Sequence, residues 1–243
     1  MRILIANDDG IESEGLTHLA KMASRMGEVW VVAPEGQRSA MSQRITVFGT
    51  ILLHEVEKYC VPDVHAFTIS GTPADCVKVA LSCVMPQKPD IVFAGINDGY
   101  NVGKDILYSG TVGVAMEALS NDLPVIAFSV ASCGDLRLCD ASIPDMAEDL
   151  IKKKLPPGEF WNVNFPSCAP EECKGILENR FPSLLQYYFN KYTKEALPEG
   201  GTKLTVKSRL CTSAESGSDM QAVLDGYISI GIVTNALLKQ KVV

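Results

Sequence analysis

Two carboxylates, Asp8 and Asp9, stand side by side where the apolar run Ile3, Leu4 and Ile5 ends, in the opening stretch MRILIANDDGIESEGLTHLA. Loops that hold nucleotide phosphates directly carry glycines at such a place, because bare amides and a helix N-terminus receive the anion. An acidic pair does the opposite: it repels a bare phosphate, and each carboxylate disfavours ionisation of the other. A hard divalent cation that takes oxygen ligands, magnesium or manganese, resolves both problems. The same two residues also suit a plainer role, capping the following helix and complementing its dipole. Two further loops carry matching chemistry. EGQRSAMS supplies Ser39 and GINDGYN supplies Asn97, so Asp8, Asp9, Ser39 and Asn97 together offer two charged and two neutral oxygen ligands. Such a set suits one octahedral ion that keeps waters for substrate. The stretch GINDGYNVGKDILYSGTVG ends in Ser109, Gly110 and Thr111 at the start of a helix, where amides, hydroxyls and the helix dipole can receive phosphate oxygens. Taken singly, SGT before a helix is most often a cap.

These loops act together only if the elements between them bring them to one place. Ile3 to Ile5, Val29 to Ala33, Ile91 to Ala94, Val125 to Val130 and FWNVNFP read as short apolar strands, the pattern of parallel strands buried on both faces. Helical spacings lie between them. Leu16, Leu19, Ala20 and Ala23 form one; Val77, Ala80, Leu81 and Val84, opened by Thr72 and Pro73, form a second. Val112, Ala115, Met116 and Leu119 form a third, and Ile143, Met146, Ala147, Leu150 and Ile151 a fourth. This alternation predicts an α/β fold, a parallel-sheet core wrapped by helices. Every strand's C-terminal end then lies on one edge, where the three loops converge. Thr46 to Val56 and Ala66 to Ile69 read as a candidate hairpin, and FWNVNFP as the last core strand.

At 243 residues the chain can bury a sizeable core, and its 47% hydrophobic and 21% charged residues are those of an ordinary globular protein. A net charge of -7 argues against binding a nucleic-acid backbone, duplex included, which needs a basic face. No apolar run reaches the length of a membrane span, and a core strand stands where a signal peptide would, so the cytoplasm is the default location. The eight cysteines form no CxxC and the three histidines are scattered, giving little support to a zinc site. Most of the cysteines are expected to be small buried hydrophobes.

The pattern changes beyond about Ser167. LLQYYFNKYTKEALPEGG is aromatic and polar without clean periodicity, and the strand-like runs KLTVK and GYISIGIV follow it. An excursion of this length is usually functional or pairs with another chain. Residues 1–166 read as the α/β core that carries the metal and phosphate loops, and 167–243 as an extension for oligomerisation, or a lid, that closes back on the core. A helix and hairpin packed on their own domain fits the periodicity equally.

Taken together the motifs resemble the SurE family, stationary-phase survival proteins that act as 5'(3')-nucleotidases. The resemblance rests on ILIANDDGIESEGL, VVAPEGQRSAMSQRIT, SGTPADCVKVAL, PDIVFAGINDGYNVGKDILYSGTVGVAMEAL, FWNVNFP and, near the end, SDMQAVLD with GYISIGIV. It implies a Rossmann-like core and a C-terminal extension of helix and hairpin exchanged between subunits, giving a homodimer or homotetramer. It also implies one divalent ion per subunit on Asp8, Asp9, Ser39 and Asn97, with Asn7, Asn101, Ser109, Gly110 and Thr111 as active-site and phosphate contacts. The implied activity is hydrolysis of nucleoside 5'- and 3'-monophosphates. Asp8, Asp9 and Asn97 serve catalysis, Asp9 also taking a proton from the attacking water, although a metal-bound carboxylate is a poor base. No cysteine or histidine takes part. Ala40 and Ala118 stand where the family commonly has glycine, and GYISIGIV lacks the family's usual threonine and proline after GYxSI. A phosphoacceptor receiver domain would need an aspartate ending its third strand and a lysine ending its fifth, and a haloacid-dehalogenase phosphatase would need DxDx[TV]; neither matches. A protein that senses nucleotides without turning them over would use the same ligands and stands as the alternative.

Overall fold

Alternating apolar runs and amphipathic stretches give a mostly parallel sheet flanked by helices in the computed structural model, which describes residues 1–239. The elements are β1 (Arg2–Ala6), α1 (Glu14–Ala23), β2 (Glu28–Pro34), β3 (Leu53–Glu55), β4 (Val64–Ile69), α2 (Pro73–Val79), β5 (Ile91–Asp98), α3 (Gly110–Ser120), β6 (Val125–Val130), α4 (Leu136–Lys152), β7 (Glu159–Phe165), β8 (Ile176–Arg180), β9 (Tyr188–Ala196), β10 (Thr202–Leu210), α5 (Asp219–Leu224) and β11 (Ile228–Thr234). A nine-stranded sheet runs β3-β4-β2-β1-β5-β6-β7-β11-β8. The strands from β4 through β7 in that order are parallel, while β3 and β11 join antiparallel to β4 and β7.

The apolar strands are continuous because both faces are covered. Ile3 and Ile5 pack with Leu16 and Leu19 of α1 and Ile143 and Leu150 of α4. Leu4 and Ala6, pointing the other way, pack with Val77 of α2 and Val112 and Ala115 of α3. The helix starts follow local chemistry. Ser13 caps α1 by accepting from the Leu16 amide, and Thr72 and Asp75 form a reciprocal capping box at α2, with Pro73 in the first turn. Past Val79 the α2 stretch continues as a wider π-type turn from Ala80 to Val84.

Three expectations need correction. Of the Thr46 to Val56 stretch only Leu53–Glu55 is strand; Val47 and Phe48 are 68% and 93% exposed, so the segment before it has no partner face. FWNVNFP does not end the core sheet, because GYISIGIV returns as β11 along β7 and brings β8 in parallel beside it. Only Cys76 and Cys139 are buried; Cys60, Cys83 and Cys133 are exposed, lying in loops or at helix ends that lack a covering layer.

The stretch beyond residue 166 closes back on the core through β8, β11 and α5, whose Met220 and Val223 pack with Tyr100 and Val102. Its last four residues, 240–243, lie outside the described residues. The β9–β10 hairpin forms a separate two-stranded sheet, with all of β10 exposed. No helix among the described residues is long and apolar enough to cross a membrane.

Candidate active site

β1 delivers the acidic pair to the sheet's C-terminal edge, and Asn7 shapes the loop that carries it. The Asn7 side chain donates to Gly10 O (3.1 Å) and Ser13 Oγ (2.8 Å) and accepts from the Gly10 amide (3.3 Å). Both ends of its amide are thus engaged within its own loop and shape the turn that carries the acidic pair. Asp8 is buried, and its Oδ1 accepts a 2.6 Å hydrogen bond from the Thr111 hydroxyl. The same hydroxyl lies 3.3 Å from Asn97 Oδ1, so the first turn of α3 gathers oxygens from two separate loops. Gly110 makes this possible: a Cβ there would lie 2.7 Å from Asp8 Oδ2.

Asn97 reaches the cluster through a bulge. The β5–β6 register steps from Ala94↔Ala127 to Asn97↔Ser129, an extra residue that re-aims the chain from Asn97 onward. Gly95 sits in this bulge at φ +120°, and a Cβ there would meet Phe128 O at 2.3 Å. Asn97 Nδ2 donates to Gly99 O at 2.7 Å, leaving Oδ1 toward Thr111. Asp9 is half-buried and accepts from the Asp98 amide at 3.0 Å. A cavity of about 510 Å³ opens beside it, lined by Ser13, Gln37, Ile96, Asp98 and Cys133 among others. Ser39 is exposed; its loop is tied to the acidic loop by the Arg38 amide, which donates to Asp8 O at 2.7 Å. Among the described residues the Ser39 hydroxyl makes no hydrogen bond to Asp8, Asp9 or Asn97.

Ser109 caps α3, its Oγ accepting from the Val112 amide at 3.1 Å, which leaves its proton to donate elsewhere. Asn101 turns its amide nitrogen to Ser129 Oγ at 2.8 Å, and its backbone is held by Asn162 and Asn164 of β7. These two asparagines are absent from the set that sequence alone picks out. Their signal is the alternation in FWNVNFP, which puts two amides on one face of an otherwise apolar buried strand, where each needs a partner.

Burial pushes Asp8 up to about 6; the Thr111 bond opposes this and the neighbouring Asp9 charge adds to it. Asp9 is raised chiefly by burial and further by Asp98, against the Asp98 amide and Gln37. Among the described residues no Lys, Arg or His pairs with either carboxylate. His18 instead holds α1 to α4 through Asp140 at 2.8 Å.

An open, mostly parallel sheet with carboxylates, an asparagine and a helix N-terminus gathered beyond its strand ends defines an α/β protein with an edge-of-sheet ligand site. The family model described as "Survival protein SurE" matches residues 3–183. The chain is 38% identical to the 5'-nucleotidase SurE of Clostridium botulinum (strain 657 / Type Ba4) over 235 residues, 95% of this chain and 91% of that protein. It is 42% identical to the 5'-nucleotidase SurE of Microcystis aeruginosa over 206 residues, 82% and 74% of the two chains. The crystal structure of the SurE protein from Aquifex aeolicus matches with a TM-score of 0.82 at 32% identity, covering 96% of this chain and 93% of that one. The chain belongs to the SurE family.

Proposed function

We propose that this protein is a phosphomonoesterase that hydrolyses nucleoside 5'- and 3'-monophosphates to nucleoside and phosphate, using one magnesium or manganese ion per subunit. The observation that carries the reading is the meeting of Asp8 Oδ1 and Asn97 Oδ1 on the Thr111 hydroxyl, beside Asp9, with no cationic side chain paired to either carboxylate among the described residues. Relatives named 5'-nucleotidase SurE support the choice of substrate. The donor set fits a hard divalent ion: all oxygen, two carboxylates, and one of them too buried to ionise easily without a cation.

Asp8, Asp9, Ser39 and Asn97 would hold the ion, which supplies Lewis-acid polarisation of a phosphoryl oxygen and of water. Ser109, with its hydroxyl proton free, and the N-terminal end of α3 face the negative charge that develops on the phosphoryl oxygens. Gly110, without a side chain, lets the first turn of α3, where phosphate would bind, approach Asp8, and Thr111 keeps the Asp8 and Asn97 oxygens together. Asp9, half-buried and lining the cavity, is the carboxylate placed to take the proton of the attacking water, a weak base while it also holds the ion. Asn101 holds the loop behind Asn97. The β9–β10 hairpin is exchanged between subunits in a homodimer or homotetramer.

Phosphate release from a panel of 5'- and 3'-nucleoside monophosphates tests this, in magnesium, manganese or chelator. Release that needs the metal and ranks nucleotides above simple phosphate esters is the expected result. Nucleotide binding without release under any metal would replace hydrolysis with sensing.

A further inference from the structure

We infer that Tyr188, the first residue of the hairpin strand β9, is a positioning residue for Asn97, an inference that rests on the metal-site reading above. The Tyr100 amide donates to Tyr188 Oη at 3.1 Å, and Asn97 Nδ2 donates to Gly99 O at 2.7 Å. Gly99 C=O and Tyr100 N–H are the two ends of a single peptide group. Tyr188 therefore fixes the plane of the group that orients the Asn97 amide, and through it keeps Asn97 Oδ1 toward Thr111 and Asp8. Were the peptide to rotate, the Asn97 amide would lose the acceptor that holds its N–H groups and could turn them toward the acidic pair, where they would repel a cation.

Tyr188 is itself held firmly. Its amide and that of Tyr187 donate to Asp105 Oδ2 at 2.9 and 2.8 Å, and its ring meets Tyr187 edge-on at 4.8 Å between centroids. Phenylalanine could fill the same space but could not accept from the Tyr100 amide. Loss of a group directly behind a ligand weakens metal binding by about 10-fold to 100-fold; the Gly99–Tyr100 peptide is that group and Tyr188 stands one step further back, which puts the expected effect at the low end, about 10-fold.

The test titrates manganese by calorimetry into chelator-stripped wild type, Tyr188→Phe and Tyr187→Phe, with the melting temperature of each metal-free protein as a fold control. Tyr187 contributes the same aromatic packing without touching the Gly99–Tyr100 peptide. We expect Tyr188→Phe to bind manganese about 10-fold more weakly while its metal-free melt stays near wild type, and Tyr187→Phe to bind as wild type does. Equal affinity in wild type and Tyr188→Phe overturns the inference and leaves the metal site standing. No manganese uptake by wild type overturns both.

Discussion

Ala40 follows the expected ligand Ser39 and holds φ at +58°, in the left-handed region. A side chain there costs about 1–2 kcal/mol that glycine avoids. Ala40→Gly is expected to raise unfolding free energy by about 1 kcal/mol in urea, part of the relief being offset by the greater freedom of glycine in the unfolded chain. A loss of stability would mean that the Ala40 methyl packs usefully. Ala40 is legible in the sequence only as a departure from the family, whereas Asp8, Asp9 and Asn97 stand out by their own chemistry. At Asn7 the sequence shows that an amide is present but not that Gly10 and Ser13 engage both of its ends. Thr111 reads in sequence as a phosphate contact alone; its bond to Asp8 joins residues distant in the chain, which no local pattern reports.

At the scale of elements, helices α1 to α4 and the parallel strands are legible because burial on one or both faces leaves a periodic trace. The placement of β11 is not, since an antiparallel return beside β7 depends on pairing between distant segments. The extension is latched to the candidate active-site loops by two acids. Asp105 holds the root of β9, and Asp219 at the start of α5 accepts from the amides of Gly103, Ser183 and Met220. Burial outweighs those three donors and pushes Asp219 up to about 6 from 3.8. A native value above the unfolded one means that the folded state binds the extra proton. Its stabilisation is complete below pH about 4 and fades as pH rises through about 6, by about 3 kcal/mol. The unfolding free energy of wild type minus that of Asp219→Asn should fall by this amount across that window. A difference that stays flat or grows would contradict it.

For the whole molecule, the hairpin is the feature that a single chain explains least. A two-stranded sheet is marginal in water, yet β9 and β10 pair from Tyr188↔Leu210 to Ala196↔Thr202 with Tyr192, Leu204, Val206 and Leu210 more than half exposed. Apolar side chains arrayed on such an arm suit a second copy of the chain. Replacing residues 191–207 by a tight turn should convert the proposed dimer or tetramer to a monomer by light scattering, with β1 to β7 intact by hydrogen exchange. Unchanged mass would place the interface elsewhere. Sequence composition sets this stretch apart without giving its shape, because aromatic and polar residues on an unsupported hairpin follow no core-facing period.

The most direct test of the metal-site mechanism compares phosphate release from a nucleoside 5'-monophosphate by wild type and Asp8→Asn in saturating manganese, with melting curves of both proteins. The substitution keeps the side chain's shape and its bond from Thr111 but removes one charge from the metal site and relieves repulsion with Asp9. Activity lost by several orders of magnitude, with a melting temperature equal to or slightly above wild type, is the predicted result. Equal rates in the two proteins would contradict the assignment of Asp8 to the metal and, with it, the mechanism.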